Sequence, residues 1–202
     1  MTVTPLPAGW RTSGVSSVDS SGRAKCVDIT VPADKVSSDQ APVPSDMAWD
    51  TTANSALTFP LSRSQGPMYR PKFAGQCYAH TPIGAVFAAM NYMGSLADGR
   101  VSRSEVANLL VKSESHANLF VPPTGTSDLR LRFIGYTVES YLTDEAKVLI
   151  YAYAQEPGAR DNLLAFELSV VWEDGDWKAK TPAAQRRSAK DKPQYYLKWK
   201  SS

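Results

Sequence analysis

The stretch Leu163-Leu-Ala-Phe-Glu-Leu-Ser-Val-Val-Trp-Glu-Asp-Gly-Asp-Trp177 carries the most decisive local pattern in the chain. Leu164, Phe166, Leu168, Val170 and Trp172 alternate with Ala165, Glu167 and Ser169. Side chains of an extended strand point to opposite faces in turn, so this segment reads as a strand with one apolar face. Asp174-Gly175 follows as a two-residue hairpin signal, because these residue types tolerate the positive φ that such turns require. The register then sets Trp172 opposite Trp177, an aromatic cross-strand pair contributing about 0.5–1 kcal/mol.

Upstream, the same period of two runs through Arg130–Leu142 and Ala146–Ala154, which predicts a hairpin across Thr143-Asp-Glu145. With the turn at Gln155–Ala159, the result is a four-stranded antiparallel meander. Before Arg130 the period is nearer 3.6. Thr81 is a good N-cap and Pro82 suits the first helical position, where its missing N–H costs nothing. Ile83, Val86, Phe87, Met90 and Met93 follow helical spacing, and small residues such as Gly84 and Gly94 permit close approach. This helix is expected to end at Asp98-Gly99. Ser102-Arg-Ser-Glu105 is a capping box opening a second helix, expected to present Val106, Leu109 and Leu110 and to fade near Ser113–Asn118. A sheet with one apolar face needs cover, which the Pro82 helix supplies. The expected fold class is α+β: a helix packed on a curved antiparallel meander, with an extended N-terminal arm.

Residues 1–75 are rich in proline and serine and contain only short apolar runs, such as Cys26-Val-Asp-Ile-Thr-Val31. They predict one or two isolated strands between extended segments. Three regions are therefore expected: an arm over 1–48, a domain over 49–182 and a basic, aromatic tail over 183–202. The 202 residues carry a net charge of +2, which points to no particular polyanionic partner. In the tail, six bases (Arg186, Arg187, Lys190, Lys192, Lys198, Lys200) against Asp191 give +5, leaving −3 elsewhere.

The N-terminus has neither the basic start nor the apolar run of a signal peptide, and no stretch has the length of a membrane span. On this reading the protein is cytoplasmic or part of a virion, and extracytoplasmic only if an anchor has been removed. Cys26, Cys77, His80 and His116 are too few and too scattered for a zinc site, and neither a metal nor a cofactor is expected. Cys26 and Cys77 either pair, tying arm to domain in an oxidising compartment, or stay as buried free thiols.

Several blocks together resemble an uncharacterised actinobacterial domain family found in integrative conjugative elements and actinophage genomes. They are Trp49, Phe59-Pro-Leu-Ser62, Gly66-Pro67, the run from Gly75 through His80-Thr81-Pro82-Ile-Gly84 to Asn91, and Trp172-Glu-Asp-Gly175-Asp-Trp177-Lys178. The resemblance covers about Trp49 to Pro182. Its order of helix then meander is similar to the cystatin-like, nuclear-transport-factor-2-like cone, which also occurs in assembly proteins of conjugative transfer and type IV secretion.

Chemistry-bearing residues are sparse. Cys77-Tyr-Ala-His80 places a nucleophile near a base, but no third group to orient the ring is evident. Tyr136, Tyr151, Tyr153, Asp98 and Glu139 are candidates for a polar pocket between helix and sheet, although alternating tyrosines are usual on a half-buried strand. Gln194-Tyr195-Tyr196-Leu-Lys198-Trp199-Lys200 interleaves aromatics with bases, as nucleic-acid or anionic-membrane contacts require, but its alternation fits a final strand better. Trp10 in the arm, with Tyr195, Tyr196, Lys198, Trp199 and Lys200 in the tail, are the candidate partner-binding residues. The expected function is non-enzymatic: a protein-interaction or assembly module of a mobile element or conjugation-type apparatus, self-assembling through the arm or binding other proteins. The alternatives are a structural or accessory virion protein of an actinophage, and a ligand-binding or enzymatic cone.

Overall fold

The computed structural model describes residues 14–27, 41–50, 59–70, 74–97, 101–113, 130–155, 162–180, 185–188 and 192–198. Four long and short strands follow one another as the alternation predicts: β5 (Arg130–Leu142), β6 (Glu145–Gln155), β7 (Asn162–Glu173) and β8 (Asp176–Ala179). The preceding elements are β1 (Val15–Val18), β2 (Ala24–Cys26), β3 (Met47–Asp50), β4 (Phe59–Ser62), α1 (Pro82–Ala97) and α2 (Arg103–Ala107). After the meander come β9 (Gln185–Ser188) and β10 (Tyr195–Tyr196). The main sheet is antiparallel with order β10-β5-β6-β7-β8, and β9 pairs with β7. β8 meets β7 at residues 170–173 and β9 meets it at 164–167, so they occupy successive stretches of one edge. Trp172 lies opposite Trp177. The β5–β6 turn is Thr143-Asp144 alone, one residue tighter than expected, with Glu145 already paired to Leu142. Register shifts between Phe133 and Gly135 and between Val138 and Ser140 interrupt β5.

α1 is covered nearly all round: every residue but Leu96 is buried. Such a helix belongs inside a core rather than on its rim. One side meets the sheet, where Leu131, Phe133, Tyr136, Val148, Ile150, Leu168 and Val170 join Val86, Phe87, Met90 and Met93 in one apolar cluster. Another side takes β4, whose Phe59 ring lies against Gly94 so closely that a Cβ there would overlap it. β3 and β4 form their own antiparallel ribbon, with Trp49 opposite Pro60. Beside it Asp50 and Arg70 form a buried ion pair, the guanidinium 5.3 Å from the centre of the Phe59 ring.

α2 has the expected capping box. Ser102 caps the Glu105 N–H and the Glu105 carboxylate accepts from the Ser102 N–H. The helix stops at Ala107, however, well before Ser113. The reason is that the next residues are used by the sheet: Ala179 donates to the Leu109 carbonyl at 2.8 Å and Val111 donates to the Ala179 carbonyl at 3.1 Å. Leu109–Val111 thus covers part of the outer edge of β8, and the pairing that would continue a helix is lost. No helix among the described residues is long and apolar enough to cross a membrane.

Candidate functional site

The two sequence blocks that stand out, Cys77–Gly84 and Trp172–Lys178, meet in space. Asp174 and Gly175 take φ of 55° and 78°, folding β7 back onto β8. The turn delivers Trp177 to the loop before α1, where its indole N–H donates to the Ala79 carbonyl at 3.0 Å. Asp176 Oδ1 accepts from the backbone N–H of Tyr78 at 2.9 Å and from that of Trp177 at 3.0 Å. Its Oδ2 lies 2.8 Å from Lys178 Nζ, which also donates to the Asn108 carbonyl at 3.1 Å. Both residues are about 1% exposed, so this is a fully buried ion pair with its polar atoms engaged. A buried pair of this kind is costly to break from one side only.

His80 closes the joint. Its ring stacks on Trp172 with centroids 4.0 Å apart and an interplanar angle of 5°, and meets Trp177 edge-on at 5.5 Å. Nε2 lies 2.6 Å from the Thr143 carbonyl, which can only accept, so Nε2 carries the proton. Asp144 Oδ1 stands 3.2 Å from the same nitrogen. His80 therefore ties the β5–β6 turn to the entrance of α1. Thr81 caps α1 through the Gly84 N–H at 3.0 Å and donates to Gln65 Oε1. Gly84 is required there, because a Cβ would overlap the Ala79 carbonyl.

A small ribbon, β1–β2, completes this end. Cys26 and Cys77 are disulfide-bonded, with Cα atoms 5.3 Å apart. This is the paired alternative of the two the sequence allows. Gln76 grips the ribbon with both ends of its amide: Oε1 accepts from the Ala24 N–H at 2.8 Å and Nε2 donates to the Gly22 carbonyl at 3.0 Å. Arg23 Nη2 donates to the Ala107 and Leu110 carbonyls at the end of α2, at 3.1 and 3.2 Å. Asn108 Nδ2 donates to the Ser21 carbonyl at 3.0 Å. Gly175 packs against the Cys26 carbonyl.

The groups proposed for chemistry are held otherwise. Cys77, being bonded, offers no thiolate. Tyr136 is buried and donates to the Ala41 carbonyl at 2.6 Å; burial, with Tyr195 nearby, pushes its phenol far above the usual range. Tyr151 is buried on the other face with Leu149 and Ala165, and Tyr153 sits under the Arg132 guanidinium at 5.0 Å. Glu139 lies 3.7 Å from Lys147 Nζ on the rim. Asp98 and His116 lie outside the described residues.

The tail docks as a strand. Tyr195 pairs with Tyr136 and Tyr196 with Gly135, where a side chain would strike the Tyr195 carbonyl and Pro193. Tyr195 is half-buried, its hydroxyl accepting from the Ala41 N–H at 3.3 Å, so it serves the fold rather than an open surface. Leu197 is buried, while Tyr196 is 55% exposed and Lys198 is exposed. The Lys198 carbonyl accepts from the Trp49 indole at 2.9 Å. Trp10, Trp199 and Lys200 lie outside the described residues. Beside the α1 entrance, a cleft of about 580 Å³ is bounded by Pro42, Pro44, Asp46, Ser64, Gln65 and Ile83. Sequence reading includes Gln76, Asp176 and Lys178 in the resembling blocks but assigns them no partner, and it misses Asn108, since a lone polar residue carries no periodic signal.

No curated protein and no solved structure matches the chain. One family model matches residues 13–195, spanning everything from the β1–β2 ribbon to the tail strand. The chain belongs to that family, DUF8175, described as a domain of unknown function.

Proposed function

We propose that this is a non-enzymatic interaction and assembly domain working outside the cytoplasm, in a conjugation- or secretion-type apparatus of a mobile genetic element. The observation that carries the reading is the buried Cys26–Cys77 disulfide set into the joint. Disulfides of this structural kind persist in oxidising compartments and are rare in the cytosol of mesophiles. The non-catalytic half rests on how the motif residues are used: His80, Asp176, Trp177 and Lys178 hold loops together, and Cys77 is bonded. The finer fold reading is a cystatin-like, nuclear-transport-factor-2-like cone, supported by the order of one long helix followed by an antiparallel meander with that helix on one face. Fold likeness alone carries no function, so the test is genetic. Deleting the gene from its element is expected to lower transfer to recipient cells by at least about a hundredfold, restored by the wild-type gene in trans. Transfer at the parental frequency would overturn the reading, as would recovery of the protein with assembled virions instead.

A further inference from the structure

We propose that the Cys26–Cys77 bond is a latch: the β1–β2 ribbon docks and completes the joint only when the bond is formed. The inference uses the extracytoplasmic reading above for its biological setting and the geometry alone for its mechanism. The ribbon has little to hold it by itself. Ser16, Ser17 and Val18 of β1 are exposed, and within the two strands only Ala24 and Cys26 are buried. Their apolar cluster is completed by Met68 and Cys77, with Val15 and Tyr69 at its margin. A two-stranded ribbon is at best marginal in water without a larger apolar face. Among the described residues, what remains besides the disulfide is an ion pair of Arg23 with Glu173 at 3.8 Å and a set of hydrogen bonds from Gln76, Arg23 and Asn108, each exchanging a water partner for a protein one at small net gain.

The consequences of release reach the motif residues. Asn108 lies between the ribbon and the buried ion pair: its side chain holds Ser21 while its carbonyl receives Lys178 Nζ. Gly175 is seated on the Cys26 carbonyl, and Cys77 precedes Tyr78, whose N–H is held by Asp176. Undocking therefore frees the carbonyls of Ala107 and Leu110 and brings water to Asp176 and Lys178. The chemistry is thiol–disulfide exchange with a dithiol. Its first thiolate attacks one cysteine sulfur, breaking the S–S bond and releasing the other cysteine as a thiolate; its second thiolate then attacks the dithiol's own sulfur in the mixed disulfide and displaces the cysteine first attacked. Two electrons and two protons pass to Cys26 and Cys77, and the dithiol leaves as its own disulfide. In an oxidising compartment the reverse step sets the latch.

The test is amide hydrogen exchange of the purified full chain, oxidised and after treatment with a dithiol, with thiol alkylation to count reduced chains. A Cys26→Ser, Cys77→Ser double variant serves as the unlatched form whether or not the buried bond is reducible. Exchange over residues 15–26 is expected to quicken at least tenfold, and to rise over 103–111 and 174–179, while α1 and β6 change less than twofold. Ribbon protection within twofold of the oxidised chain would overturn the proposal. So would loss of protection throughout α1 and β6, which would make the bond a staple of the whole domain. Either failure leaves the extracytoplasmic reading standing, since that reading is judged by transfer frequency.

Discussion

Gly84 occupies the third position of a sixteen-residue helix, where alanine would ordinarily be favoured by about 1 kcal/mol. Here the preference reverses, because a Cβ meets the backbone carbonyl of Ala79, which the indole of Trp177 also holds. Gly84→Ala is expected to destabilise the domain by about 1–3 kcal/mol, the usual cost of overpacking a site that cannot relax, read as a lower urea midpoint at unchanged slope. Trp177→Phe is a finer probe. It keeps most of the ring area and removes one donor from a carbonyl that still accepts from the Thr81 N–H, so the expected loss is about 1 kcal/mol. The sequence marks both residues through the resemblance, but not their contact with one carbonyl; that depends on a turn bringing together segments 98 positions apart.

At the level of elements, the β7–β8 hairpin contains the sharpest energetic prediction. Lys178→Met alone strands the Asp176 carboxylate in the core and is expected to cost about 3–5 kcal/mol. Pairing it with Asp176→Leu removes the stranded charge, although the Tyr78 and Trp177 N–H groups then lose their acceptor. A double-mutant cycle should therefore show coupling of more than about 1 kcal/mol. The turn itself carries a pH signature. The Lys112 ammonium, hydrogen-bonded to Asp174 at 2.6 Å, holds that carboxyl below its ordinary value against the opposing effect of burial. A depressed folded value means the contribution is present above the unfolded carboxylate range and is lost as pH falls through the folded value. Lys112→Ala should flatten the acid limb of a stability–pH curve and leave the neutral plateau within a few tenths of a kcal/mol, as befits an exposed pair.

The elements themselves were legible wherever local rules govern. Thr81-Pro82 starts α1, Ser102 and Glu105 start α2, and Asp174-Gly175 with period-two alternation sets β7 against β8. The end of α2 was not, because Leu109–Val111 are taken by β8 through pairing that no local pattern encodes. Ribbons β1–β2 and β3–β4 were not legible as pairs: only the run from Cys26 is read there, because their partners are chosen by contacts with Gln76, Arg70 and α1.

For the whole molecule, arm, core and tail are one interlocked body at the places described. Ala41 is bonded to Tyr136 and Tyr195, Trp49 to the tail backbone, and Cys26 to Cys77. Among the described residues of the tail, Tyr196 is a large apolar side chain left open, 55% exposed, with Lys198 exposed two residues on. The most direct measurement of the central claim is photo-crosslinking in living host cells, with a benzophenone amino acid in place of Tyr196 and the adducts identified by mass spectrometry. The account predicts a defined adduct to an envelope component encoded beside this gene, formed by chains in which Cys26 and Cys77 are oxidised. Uncrosslinked chains with both thiols free in the cytoplasm would contradict it.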